Sequence, residues 1–343
     1  MLWSPLALIT GALDIREISA QQIGLIRLPE AAESPASEPD SSSATGIALP
    51  FSSIRLGQLN IEEVALPASL AGMPAQFAVT GTASYSSSPE TISGKLNVTR
   101  FGAVQGSADV DVDFDPKEGL VRFRALVSEA ANGLAANLLE LEDAPSFTLR
   151  MEGGGPLTNW SSSLQVDLNN ARAIDGDITL TQNGAQKFLT TRLSGELGQF
   201  LPASVTSLFA GQTLWFASAS LNEDYIPLTA SARLSTAAIT ARLDNAYTVD
   251  GKVLNANAQI QTVANNNEPL VLRGGNQVVQ LGALTLNATA SGPLENLNWD
   301  LSAQVSQVET HDANVDDINL SAKGEGAQFS ADAMSIPMER AFR

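Results

Sequence analysis

The chain has no cysteine. Disulfides, thiolate nucleophiles and cysteine-ligated zinc are therefore excluded. It has one histidine, His311. That leaves no histidine-rich metal site and one candidate for a histidine-dependent triad. No G-x-S-x-G elbow accompanies it, and Glu309-Thr-His-Asp312 reads as a polar turn. Basic residues are scarce: 19 Lys and Arg stand against 37 Asp and Glu, a formal net charge of −18 over 343 residues. Phosphate backbones and anionic bilayer surfaces repel such a chain, so nucleic acid is not an expected partner. Aromatic residues make up only 6%, and bulky rings are what usually fill the space between two packed sheets. Long hydrophobic runs are missing too. The apolar opening Met1–Ala12 is shorter than the roughly 20 residues that span a bilayer, and it has no basic region before it as a signal peptide would. Any export route is expected to lie outside this chain.

What the chain does have is a hydrophobic period of two, running from Phe51 onward. The clearest stretch is Ala108–Asp115, where Val110, Val112 and Phe114 alternate with Asp109, Asp111, Asp113 and Asp115. Alternation puts the two sets on opposite faces of a strand. Asp115-Pro-Lys-Glu-Gly119 supplies turn residues. Leu120–Val127 then places Val121, Phe123, Ala125 and Val127 on one face, with Arg122 and Arg124 on the other. Folded as an antiparallel hairpin, the arginines face the aspartates and the apolar sets share a face.

The same unit recurs. Phe77–Tyr85 turns at Ser86–Glu90 into Ile92–Val98, and Asp177–Thr181, carrying Ile178 and Leu180, turns at Asn183-Gly184, a strong hairpin signal. Ile239–Leu243 reaches Asp250-Gly251 and returns through Leu254, Ala256, Ala258 and Ile260, and Val315–Ala322 continues the pattern. Two stretches break it. Leu134, Leu138 and Leu141 have helical spacing, as do Val205, Leu208 and Phe209 after Pro202, so short helices are expected near 128–142 and 195–210.

One phrase occurs twice. Phe147–Arg150 runs into Gly155-Pro156-Leu157 and Trp160; Leu284, with Leu286, runs into Gly292-Pro293-Leu294 and Trp299, followed by Leu301. Each Gly-Pro-Leu closes one alternating run and opens the next through a Trp. A repeated strand–turn–strand unit indicates an architecture extended by repetition rather than a pocket built once. The expected fold is mainly β, in long and mostly antiparallel meanders with two short inserted helices. Its apolar face is drawn from Ala, Val, Leu and Ile. Such a face is either the core of a β-sandwich with small side chains or a smooth surface that something else covers.

Three regions divide the chain. Residues 1–28 read as a short helix or turn followed by a strand pair. Residues 29–50, rich in Pro, Ser and Glu, have no apolar period and cannot offset their ordering entropy, so they read as a disordered insertion. Residues 51–343 carry the continuous repetitive β pattern.

Chemical signatures are absent. The aspartate ladder lacks the sixth-position glycine of a calcium loop, having Phe114 there. Gly153-Gly-Gly155 runs into Pro156 without a Lys-Ser/Thr, so it is a turn and not a phosphate cradle. No carboxylate spacing singles out an acid–base pair. No enzyme activity, cofactor or metal is expected.

Two segments carry a resemblance. The first is Trp3-Ser-Pro-Leu-Ala-Leu8 with Gly11, Ile15, Ile18–Ile23 and Arg27-Leu-Pro29; the second is Leu49–Ile61. Together with the Gly-Pro-Leu…Trp units and the 195–211 segment, they resemble the TamB family, the inner-membrane subunit of the translocation and assembly module, within the AsmA-like superfamily. The resemblance covers most of the chain. It corresponds to an N-terminal-to-middle portion, without the family's membrane anchor and C-terminal domain. It implies a long sheet curled into an open apolar groove, like a taco shell. It also implies a periplasmic location in a Gram-negative bacterium, anchored to the inner membrane through a segment outside this chain. The implied role is phospholipid transport between the two membranes with a TamA-like outer-membrane barrel as partner. On that reading, groove candidates are Val110, Val112, Phe114, Val121, Phe123, Ile178, Leu180, Leu284, Leu286 and Leu301. Two alternatives stand beside it: a scaffold that assembles nascent outer-membrane proteins by strand addition, and a structural or adhesive β-repeat protein.

Overall fold

The structure, a computed structural model, describes residues 2–4, 11–24, 51–201, 203–249, 252–263, 269–274, 277–310, 314–326 and 328–337. The proposed insertion 29–50, Pro202, the Asp250-Gly251 turn and His311 lie outside the described residues. The fold is mainly β, as alternation requires, with 21 strands and a few short helical turns among the described residues. It divides into two compact units, Met1–Pro156 with Leu168–Asn170, and Leu157–Asp167 with Ala171–Arg343.

In the first unit, β1 (Leu2–Ser4) pairs antiparallel with β2 (Ala12–Gly24). β2 runs parallel to β3 (Ser53–Leu66), a departure from the otherwise antiparallel meander. Then β4 (Ala75–Ser87), β5 (Glu90–Phe101), β6 (Gly106–Asp115), β7 (Leu120–Glu129) and β8 (Phe147–Pro156) each pair antiparallel with the strand before. Helix α1 (Ala68–Ala71) joins β3 to β4, and α2 (Leu134–Leu138) joins β7 to β8. The helix expected near 128–142 is shorter than its leucine spacing indicated. Ser128 and Glu129 stay in β7, paired with Thr148 and Phe147. Of the three spaced leucines only Leu141 is buried, while Leu138 is 64% exposed.

The register lines apolar residues up across the strands. One row is Leu59, Gly81, Leu96, Val110, Ala125 and Met151; the next is Leu56, Ala83, Gly94, Val112, Phe123 and Gly153. The interleaved row, Thr82, Lys95, Asp111, Arg124 and Glu152, belongs to the other face. The arginines do face the aspartates, Arg122 opposite Asp113 and Arg124 opposite Asp111. Yet the ion pair Asp111 makes is with Lys95 of β5, at 3.0 Å.

The second unit contains β9 (Asn159–Leu168), β10 (Ala171–Asn183), β11 (Gln186–Gly195), β12 (Thr213–Leu221), β13 (Pro227–Ser235), β14 (Ile239–Val249) and β15 (Val253–Thr262). It continues with β16 (Leu270–Gly274), β17 (Gln277–Leu281), β18 (Ala283–Pro293), β19 (Asn298–Glu309), β20 (Asn314–Glu325) and β21 (Gln328–Pro337). The helical segment expected near 195–210 is three short turns: 3-10 turns at Leu197–Phe200 and Ser207–Phe209 around α3 (Ala203–Thr206). The meander has one detour. β15 pairs directly with β18, and the β16–β17 hairpin sits beside this ladder, β16 touching α3 and Gln280 of β17 pairing with Glu309 of β19. One row, apolar except for Thr191, then crosses ten strands: Ile178, Thr191, Ala217, Ala232, Leu243, Ala258, Ala288, Leu301, Ala322 and Ala331.

Both Gly-Pro-Leu phrases sit where the repeat places them. Pro156 ends β8 and Pro293 ends β18, while Trp160 and Trp299 are the second residues of β9 and β19. Gly155 and Gly292 have φ of +133° and +113°, backbone that a side chain tolerates poorly.

Candidate functional site: an apolar sheet face with polar ends

Alternation decides which side chains share a face, and the register decides which of them touch. In the first unit Val110 lies opposite Ala125, Val112 opposite Phe123, and Phe114 opposite Val121. These five candidates form one patch, and all are half-buried. In the second unit Ile178 and Leu180 on β10, Leu284 and Leu286 on β18, and Leu301 on β19 share the corresponding face. Leu180 is 8% exposed; the other four are half-buried. A side chain inside a sandwich core is covered almost completely. These are covered by their strand neighbours and remain partly open above. A hollow of about 290 Å³ lies on this face of the first unit, lined by Leu56, Leu59, Ala83, Leu96, Val110 and Val112. Leu96 is 40% exposed.

Among the turn candidates, Leu157 and Trp160 are half-buried and Pro156 is exposed. Pro293 is exposed and Leu294 is 50% exposed. Half-buried Trp299 packs near Phe329 at 6.3 Å between centroids and donates its indole N–H to the Gly326 carbonyl. The repeat residues thus form turns and aromatic anchors.

The opposite face is polar and carries hollows that alternation did not reveal. One of about 600 Å³ in the first unit includes Lys95, Asp109, Asp111 and Arg124. One of about 380 Å³ in the second includes Asp175, Asp177, Arg192, Phe216 and Arg233. Charges there engage one another. The hydrogen bond and attraction of Asp111 hold the Lys95 pKa above its ordinary value, and Arg192 meets Asp177 at 3.5 Å. Solvated pairs of this kind contribute little to stability.

Charged residues also occur on the apolar face, at its ends. Arg100 continues the stripe Leu96, Val98, and Glu129 continues Ala125, Val127; the register joins them through Gly106. Arg100 is 5% exposed and Glu129 9%, and their side chains form an ion pair. Glu129 also accepts the Ala135 N–H at 2.7 Å, which ties α2 to the end of β7. Ala136, Leu141 and Phe147 are buried with them. Helix α2 therefore closes one end of this face. The sequence held the signal, a charge on the greasy stripe at period two. In the second unit Lys187 stands likewise on the stripe of Leu189, opposite Leu221, and is 9% exposed.

Among the described residues no group of three or more His, Asp or Glu side chains is placed to hold a metal ion, and no helix is long and apolar enough to cross a membrane. No protein-family model, curated protein or solved structure matches the chain.

Proposed function

We infer that the apolar face holds phospholipid acyl chains and that the protein is a non-enzymatic lipid carrier of the bacterial envelope, of the TamB type. One observation carries this reading: cross-strand rows of mostly small aliphatic residues, up to ten strands wide, whose side chains are nearly all half-buried instead of being sealed under a second layer. Each CH₂ group withdrawn from water onto such a face is worth about 0.8 kcal/mol. An acyl chain thus needs no specific polar partner along its length. The face is smooth because its residues are small, and smoothness lets a chain slide. The strongly acidic balance of the sequence, −18, keeps the protein off anionic bilayer surfaces. Delivery then calls for docking partners: an inner-membrane anchor at the donor side and a TamA-like barrel at the acceptor side.

The test is native mass spectrometry of the purified protein in volatile buffer after extraction from an envelope fraction. Bound phospholipid is expected, released on partial unfolding. Protein that carries none, and that takes up none from mixed micelles, sinks the reading.

The strand-addition scaffold has its own motivating feature. β21 pairs with β20 and carries Phe329 and Met334, each 70% exposed. Crosslinks from this strand to nascent barrel proteins, with no lipid on the apolar face, would favour that role.

A further inference from the structure

We propose that the turn end of the second unit's apolar face is a headgroup site, one that grips the phosphate and ester oxygens of a phospholipid; this rests on the acyl-chain reading above. Three features lie along that end of the face, one on β11, one on β9 two strands away and one in the loop after β12. The first is Lys187, a residue only 9% exposed. It donates to the Glu223 carbonyl at 2.5 Å and sits 3.4 Å from the centre of the Tyr225 ring. A carbonyl and a ring face orient an ammonium but bring no negative charge. Burying a cation without a counter-ion is costly, and an arriving anion removes that cost.

The second feature is a pair of orphaned donors. The indole N–H of Trp160 and the hydroxyl of Ser162 are buried and have no hydrogen-bond partner. Ser162 is 6% exposed. Both lie on β9. The Gln182 N–H donates to the Thr158 carbonyl at 2.8 Å, which aligns β9 antiparallel to β10. On that alignment Trp160 neighbours Leu180 and Ser162 neighbours Ile178, on the face that Lys187 shares through Leu189. A buried donor left without an acceptor is costly, and a ligand acceptor removes that cost.

The third feature is the loop that holds the ring. Tyr225 has φ of +61°, uncommon for a bulky residue. The Asn222 side chain fixes it by accepting the N–H groups of Asp224 at 3.0 Å and Ile226 at 2.8 Å. The loop is therefore set before any ligand arrives. An ammonium, an indole N–H and a hydroxyl all donate, so the matching ligand is rich in acceptors. The phosphodiester and ester carbonyls of a phospholipid have that chemistry, and the adjoining leucines suit its chains.

The experiment compares two probes with identical acyl chains, phosphatidylglycerol and diacylglycerol, loaded from mixed micelles onto the full chain and counted by native mass spectrometry. The wild type is expected to retain the phospholipid about 10-fold better. Lys187→Met and Trp160→Phe should each erode that preference while diacylglycerol retention stays unchanged. Trp160→Phe keeps an aromatic side chain, removes the N–H with the pyrrole half of the indole and leaves the lysine in place, so it guards against a fold defect in the lysine variant. Equal retention of both probes by the wild type overturns the headgroup site and leaves the acyl-chain reading standing. A preference that both variants keep also overturns it. Retention of neither probe overturns both.

Discussion

At the scale of single residues, the account turns on charges placed where the pattern calls for hydrocarbon. Arg100 and Glu129 are nearly sealed from water, and each is the other's main partner. Removing one leaves the other buried and unpaired. Arg100→Met is expected to cost about 3–5 kcal/mol in urea unfolding, whereas Arg100→Met combined with Glu129→Met should cost less than the sum of the single changes. The exposed pair Lys95–Asp111 behaves differently. Its contribution is complete below the ordinary lysine pKa of 10.5 and disappears as pH rises through the raised value. Asp111→Asn should therefore lower the urea midpoint only slightly at neutral pH, and that difference from wild type should vanish above the alkaline window. Gly195 illustrates close approach. A Cβ there would stand 2.0 Å from the Ala173 carbonyl oxygen, so Gly195→Ala should lose about 1–3 kcal/mol.

At the scale of elements, the β16–β17 hairpin is a detour from a ladder that closes without it. β15 and β18 pair over nine residues, and the Thr262 hydroxyl accepts the Leu284 N–H at 3.1 Å. Replacing residues 264–282 with Asn-Gly should preserve the strand signal in far-UV circular dichroism and keep unfolding cooperative. The loss should be about 2 kcal/mol, from uncovering the α3 surface that β16 touches and from losing the Gln280–Glu309 pairing with β19. Much of this level was legible beforehand. Alternation set the strands, and Asn183-Gly184 and the two Gly-Pro-Leu phrases marked turns. The parallel pairing of β2 with β3 was not legible, because period two says which residues share a face and nothing about which neighbour a strand selects. Helix α2 came out shorter than the leucine spacing because backbone pairing with β8 holds Ser128 and Glu129 in the strand. The polar ends of the apolar face were legible in principle. Arg100, Glu129 and Lys187 each occupy an in-phase position that a strict reading of the stripe would have flagged.

At the scale of the whole molecule, a broad greasy face coexists with a large negative charge. Charge repulsion acts over about 8 Å at physiological salt, so binding to anionic vesicles should be weak in low salt and rise as salt screens it. Flotation of the protein with phosphatidylglycerol vesicles at two ionic strengths checks this. Whether a face is covered is a property of the assembled sheet and not of any one strand. Composition alone leans toward a small-residue sandwich over an exposed face, whereas the half-buried state of Val110, Val112 and Phe123 favours the exposed face. The most direct test uses adjacent positions of β6 that differ only in face. A photo-crosslinking residue is placed at Val112 in one variant and at Asp113 in another, in cells, and the adducts are analysed by mass spectrometry. Phospholipid adducts at Val112 and none at Asp113 are the expected result; equal capture at both, or none at Val112, would contradict the account.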